Sequence, residues 1–214
     1  MNLGDLKSLR TDFEGALSEF RTVLAVIPQD AELRAKVCSA LRRLRRVSEA
    51  LVECKEAVRI GPNVAFAHEA LAHVYLAQGE MTLSIPVFQR AVELDPKNAS
   101  AISNLGTTLK MEGRVEEGIA AYHRGLELEP NSPYLHLQLA DAYMMLDRHA
   151  EAMASFETTL RLTPSDVEAL LSYARALRHI GRPAEAAAYY LRVLEIDPAQ
   201  PEAARAVQEL SGGP

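Results

Sequence analysis

The chain has 214 residues, 48% of them apolar and 24% charged, and carries a net charge of −6 from 23 Lys and Arg against 29 Asp and Glu. That balance argues against a nucleic-acid wrapper, which is normally basic, and no apolar run approaches the length of a membrane span. The opening MNLGDLKSLR has an acidic residue and no apolar core segment, so it does not read as a secretory signal. Two cysteines cannot build a disulfide framework, so a reduced, cytoplasmic setting is expected. Arg outnumbers Lys 18 to 5, which fits a GC-rich bacterial genome.

Six of the eleven prolines, Pro28, Pro62, Pro96, Pro130, Pro164 and Pro198, stand 34 residues apart. With each proline as repeat position 32, other columns fall into register. Position 8 is Gly4, Cys38, Ala72, Gly106, Ala140 and Ala174, and position 20 is Ala16, Ala50, Ser84, Gly118, Ala152 and Ala186. Position 24 is Phe20, Cys54, Phe88, Tyr122, Phe156 and Tyr190. Apolar residues at positions 4, 7, 8 and 11, and again at 20, 24 and 27, follow helical spacing, so each unit reads as two antiparallel helices. The small columns let two backbones approach, and the aromatic at position 24 fills the space beside them.

In chain order, residues 1–30 are a partial repeat, since Met1 falls at position 5, inside a first helix. The expectation is a chain cut from a longer array, with a naturally short first hairpin as the alternative; an uncapped N-terminal repeat could pair with a second copy to give a homo-oligomer. Five full repeats follow, 31–64, 65–98, 99–132, 133–166 and 167–200. Asp30, Asn98, Ser132 and Asp166 are expected N-caps, with Pro133 and Pro201 at first helical positions. Gly79, Gly113 and Gly181 stand at position 15, where the first helix should end in a left-handed residue, and Asp147 takes that place in one unit. Pro86 lies inside the second helix of its unit, where a bend or a loosened first turn is expected. Residues 201–210 read as a closing helix with Glu202, Arg205 and Glu209 outward, and 211–214 as a flexible tail.

This small/aromatic/proline pattern at a period of 34 resembles the tetratricopeptide repeat family over nearly the whole chain. The resemblance implies an all-α fold, a right-handed superhelical solenoid of antiparallel helix hairpins with a concave groove lined by the first helices. It departs from the family at position 4, where Arg34, His68 and His136 replace the family's Trp, and at Cys54, which replaces an aromatic. In family geometry the groove would receive Arg42 and Arg43 from 31–64, Phe66, Leu76 and His73 from 65–98, and Asn104 from 99–132. Tyr134, Leu137, Met144 and Met145 would follow from 133–166, then Arg175 and Arg178 from 167–200. The Tyr-Leu-Met-Met set reads as an apolar partner-binding patch, with packing against the neighbouring first helix as the alternative. The 31–64 unit carries a net charge of +4, gathered in LRRLRR. Arg42 and Arg43 should face the groove and Arg45 and Arg46 lie in the inter-helix turn, and the set reads as a docking patch for acidic groups or as a solvated turn. The family's two-carboxylate clamp is not met, because its Lys and Asn positions hold Ala35 and Ser39, then Glu69 and His73. Asn104 alone fits the position-6 asparagines of the repeats attached to glycosyltransferases.

No phosphate loop, dinucleotide fingerprint or nucleophile elbow occurs. In HEALAH, His68 and His73 are five apart, about 140° around a helix, so no metal site is expected there. Cys38 and Cys54 lie at packing positions of one hairpin and read as buried small apolar residues, with a redox switch locking that hairpin as the sharper alternative. The sequence therefore points to a non-catalytic protein-interaction scaffold or adaptor that binds a protein or peptide segment, without cofactor, metal, nucleic acid or membrane insertion. The alternatives are the recognition arm of a larger enzyme, such as a glycosyltransferase, and a self-assembling scaffold.

Overall fold

The structure, a computed structural model, describes the backbone of residues 3–211 and the side chains of residues 12–210. The chain divides into two compact units, residues 1–112 and 113–214. Unit 1 holds α1 (Leu3–Val26), α2 (Ala31–Arg43), α3 (Val47–Ile60), α4 (Ala65–Ala77), α5 (Met81–Leu94) and α6 (Ala99–Met111). Unit 2 holds α7 (Val115–Leu128), α8 (Pro133–Met145), α9 (His149–Leu162), α10 (Val167–His179), α11 (Pro183–Ile196) and α12 (Pro201–Ser211). Among the described residues there is no strand, and no helix is long and apolar enough to cross a membrane.

Two short motifs set the helix boundaries. The repeated proline occupies the second place of a β-turn, closed by bonds such as Val64 N–H to Gly61 C=O (3.0 Å) and Ser132 N–H to Glu129 C=O (3.1 Å). Between the two helices of a hairpin the chain turns through left-handed backbone at Arg45 (φ 63°), Gly79 (82°), Asp147 (55°) and Gly181 (77°). The next amide then reaches back to the helix, as Arg148 N–H does to Tyr143 C=O and Arg182 N–H to Leu177 C=O, both at 2.9 Å. Asp30, Asn98 and Asp166 cap their helices by accepting from Leu33, Ala101 and Ala169 N–H. Ser132 sits at the N-cap of α8 but its side chain makes no capping bond, so Pro133 opens that helix. Gln200 Oε1 caps α12 from Glu202 and Ala203 N–H at 2.7 and 3.0 Å.

The polar residues at position 4 have a structural role. Arg34 Nε donates to Pro28 C=O (3.1 Å), and the Nε2 atoms of His68 and His136 lie 2.9 and 3.0 Å from Pro62 and Pro130 C=O. A carbonyl only accepts, so Nε2 carries the proton in both histidines. Each side chain thus satisfies an exposed carbonyl of the preceding turn.

Two differences from the sequence reading concern continuity. Residues 3–26 form one helix rather than the remnant of a hairpin. Position 15 of that segment is Thr11, a β-branched residue without glycine's access to the left-handed turn. The helix α5 also continues through Pro86, and the Ser84 hydroxyl bonds the Met81 carbonyl in its first turn (2.9 Å). The expected tail at 211–214 lies outside the described side chains.

Within each hairpin the core follows the columns. Position-8 residues Cys38, Ala72, Ala140 and Ala174 and position-20 residues Ala50, Ser84, Ala152 and Ala186 are fully enclosed, and Phe88, Tyr122, Phe156 and Tyr190 are buried beside them. In α2–α3, Cys54 replaces the aromatic and is bonded to Cys38 (S–S 2.01 Å, Cα–Cα 5.4 Å). This corrects the reading of two separate apolar packing residues: the small column and the aromatic column face each other, which brings two cysteines placed there within bonding reach.

A recurrent ion pair opens the second helices. Arg46, Arg114, Arg148 and Arg182 at the N-cap bind Glu49, Glu117, Glu151 and Glu185 three residues on, with N–O distances of 2.6–2.9 Å. The hydrogen bonds from arginine hold all four carboxyls below the ordinary glutamate value of 4.5. Because the folded values are the lower ones, this stabilisation is complete above pH 4.5 and is lost as the pH falls through them. Thermal melts should therefore show a Tm that declines below that pH, and the decline should flatten in a variant carrying Glu→Gln at all four positions. An identical acid profile for both proteins would show that these pairs contribute nothing.

Candidate binding faces on the first helices

In unit 1 the first helices α2, α4 and α6 bring basic and polar groups to the surface. Arg42 is half-buried, and its Nε is enclosed without a hydrogen-bond partner. Burial, and then the Arg43 charge beside it, lower the Arg42 pKa. Arg43 is exposed, its guanidinium 6.0 Å from the Phe13 ring centre. Arg46 is engaged by Glu49, so only part of the LRRLRR cluster is available to a ligand. Phe66 is 37% exposed and Leu76 half-buried.

Asn104 belongs to a polar chain between α4 and α6. Its Nδ2 lies 3.3 Å from His73 Nε2, and His73 lies 3.8 Å from Glu69, which also accepts from Asn98 Nδ2 (3.1 Å). The nearby His73 imidazole first, and the bond from Asn98 second, hold Glu69 below its ordinary range. The His73 ring meets the Phe88 ring edge-on at 5.2 Å, so this group is tied into the core as well as facing outward.

In unit 2, α8 contributes the apolar set in graded exposure. Tyr134 is 47% and Met145 57% exposed, Met144 is half-buried against the core, and Leu137 is only 7% exposed. Tyr134 and Met145 are thus the two that present large apolar surface, while Leu137 packs inside. A recess of about 300 Å³ is lined by Met144 of this set, with Asp141, Phe156, Ser172, Arg175 and His179; neither Tyr134 nor Met145 lines it.

Arg175 and Arg178 are held by the last helix. Arg175 Nε donates to Glu202 Oε1 (2.6 Å), its Nη2 to the other carboxylate oxygen, and Arg178 Nη1 to Glu209 Oε2 (3.2 Å). The Arg175 bonds hold the Glu202 carboxyl low. Glu202 and Glu209 therefore do not simply face outward: they neutralise the basic pair and wall a cavity of about 610 Å³. The signal was present in the spacing, because 27 and 31 residues carry a first-helix side chain to the adjacent first helix.

Comparison with known proteins agrees with this geometry. The sequence matches the tetratricopeptide repeat family over residues 40–196. The inactive TPR repeat-containing thioredoxin TTL3 of Arabidopsis thaliana is 44% identical over 71 residues, 33% of this chain and 10% of that protein. The TPR repeat-containing thioredoxin TTL4 of the same plant is 34% identical over 77 residues, 36% of this chain and 11% of its own length. The chain thus spans about a tenth of the length of these curated relatives. Among solved structures, YrrB, a TPR protein with an unusual peptide-binding site, matches with a TM-score of 0.72 at 18% identity, over 87% of this chain and 96% of that one. MamA from Desulfovibrio magneticus RS-1 gives 0.74 at 17% identity, covering 80% and 97%. PilF of Pseudomonas aeruginosa gives 0.73 at 22%, covering 86% and 84%. At these identities the likeness concerns the fold, an all-α helical repeat solenoid. The repeated proline turns, the small and aromatic columns and the match over residues 40–196 together make this chain a member of the tetratricopeptide repeat family.

Proposed function

We propose that the chain is a non-catalytic scaffold that holds a protein or peptide segment against its first-helix faces, with Tyr134 and Met145 as apolar anchors in unit 2 and Arg42 and Arg43 meeting acidic residues in unit 1. The observation that carries this reading is the exposure of Tyr134 and Met145, 47% and 57%, on a helix whose other large apolar residues are partly or wholly buried. Exposed aromatic and methionine side chains are what a partner's apolar residue can cover. The exposed Arg43 guanidinium offers charge-assisted donors to a carboxylate.

The test is quantitative capture from source-cell lysate on wild type, on Tyr134→Ala with Met145→Ala, and on Arg42→Glu with Arg43→Glu. Truncating an anchor should cost about 1–3 kcal/mol of binding, and reversing the arginines should mainly slow association. A ligand retained by both variants, each with an unchanged melting curve, would remove these faces from the reading. A second reading, the recognition arm of a larger protein, is favoured by the relatives, in which matching repeats make up about a tenth of TPR-containing thioredoxins. A catalytic domain encoded in the same gene beside these repeats would support it.

A further inference from the structure

Three potential metal ligands meet in unit 2 where the turn after α8 touches the end of α10. Asp147 occupies the left-handed turn position (φ 55°), His149 is the first residue of α9, and His179 is the last of α10. One donor atom from each lies within 4.8 Å of the other two. The two imidazoles stand edge to face, with ring centres 5.9 Å apart at 72°. The backbone carrying them is fixed, because Asp147 N–H bonds Met144 C=O (3.2 Å) and Arg148 N–H bonds Tyr143 C=O (2.9 Å).

Hairpin packing does not require this trio. At the same three places the other hairpins hold Arg45, Val47 and Ala77, then Gly79, Met81 and Met111, then Gly113, Val115 and Met145. None of these nine is a histidine or a carboxylate. The His149 Nδ1 atom is also enclosed and has no hydrogen-bond partner, an unmet demand that native structures rarely leave standing. Neighbouring cations are already matched: Arg148 by Glu151, Arg178 by Glu209 and Arg182 by Glu185.

We propose that Asp147, His149 and His179 form a binding site for a divalent transition-metal ion of the zinc class. Two imidazoles and one carboxylate suit Zn²⁺, Co²⁺ or Ni²⁺, whereas Ca²⁺ and Mg²⁺ prefer all-oxygen shells. Bonds of about 2.0–2.1 Å give a tetrahedral edge of about 3.4 Å, so the donors must draw together by up to about 1.4 Å. Asp147 and His179 are exposed and can rotate inward, while half-buried His149 stays in place. The ion would clip the α8–α9 turn to the end of α10 and leave a fourth position for water or for a partner's side chain.

Isothermal titration of the full chain with Zn²⁺, together with the visible absorption of added Co²⁺, tests the site. The wild type should bind one ion per chain with a tetrahedral Co²⁺ spectrum and a higher Tm. His149→Ala with His179→Ala, and Asp147→Asn alone, should weaken binding by at least about tenfold. His179→Ala at its exposed position supplies the same reading if the double variant fails to fold. Absence of stoichiometric binding to the wild type overturns the inference, as does binding that folded variants retain at wild-type strength, which would move the ion to other histidines.

Discussion

Phe156→Ala is expected to destabilise unit 2 by about 3–5 kcal/mol, the usual result of removing a fully enclosed phenyl ring. Phe156 is 1% exposed and lies between the small columns of its hairpin. Its ring meets Tyr173 at 5.5 Å, and Tyr173 in turn meets Tyr189 edge-on at 4.6 Å, so three successive helices, α9, α10 and α11, share one aromatic row. Ala152 and Ala140 on either side have no larger side chain with which to fill the void. A guanidinium melt gives the magnitude, and hydrogen exchange gives the place: amides of α8 to α11 should lose protection while those of α2 to α5 keep theirs. Phe156→Leu should recover much of the loss. A melt within about 0.5 kcal/mol of wild type, the outcome expected for an exposed substitution, would contradict the packing described for this column.

The column logic explains how much could be read in advance. A helix needs only its own turn chemistry and one apolar face, and both repeat every 34 residues here, so the starts at Ala31, Ala65, Ala99, Pro133, Val167 and Pro201 follow from the proline comb. The candidate faces were less legible because they depend on which side chains of adjacent hairpins meet. Leu137 and Met145 share a helix and similar chemistry, yet one is 7% and the other 57% exposed, a difference set by the neighbouring helix. Arg175 looked like a free groove charge until Glu202, 27 residues on, was brought against it. The grouping of Asp147, His149 and His179 is not legible on any one helix, because its third member comes from the adjacent repeat. Arg46 reads from sequence only as a basic turn residue, although an arginine there with a glutamate three places on recurs in four units.

Removing the Cys38–Cys54 bond should lower stability by about 3 kcal/mol, since the bond closes a loop whose ends are 16 residues apart. Both residues are fully enclosed, so the bond also supplies packing at the point where the other hairpins press an aromatic against a small residue. In α2–α3 the crosslink stands in for that aromatic, which makes this hairpin the one whose stability depends on oxidation state. Three proteins separate the effects: wild type with and without equilibrated reductant, Cys38→Ala with Cys54→Ala, and Cys38→Ala with Cys54→Phe. Reduction should lower the wild-type Tm and leave both variants unchanged. The double-alanine protein should melt lowest, because it lacks both the link and the volume. The alanine–phenylalanine protein should regain part of the loss by rebuilding the pair seen as Ala72 and Phe88, both fully buried. A wild-type Tm that ignores reductant after full equilibration, with free thiols verified by mass, would show that the crosslink carries no stability and that packing alone holds α2 to α3.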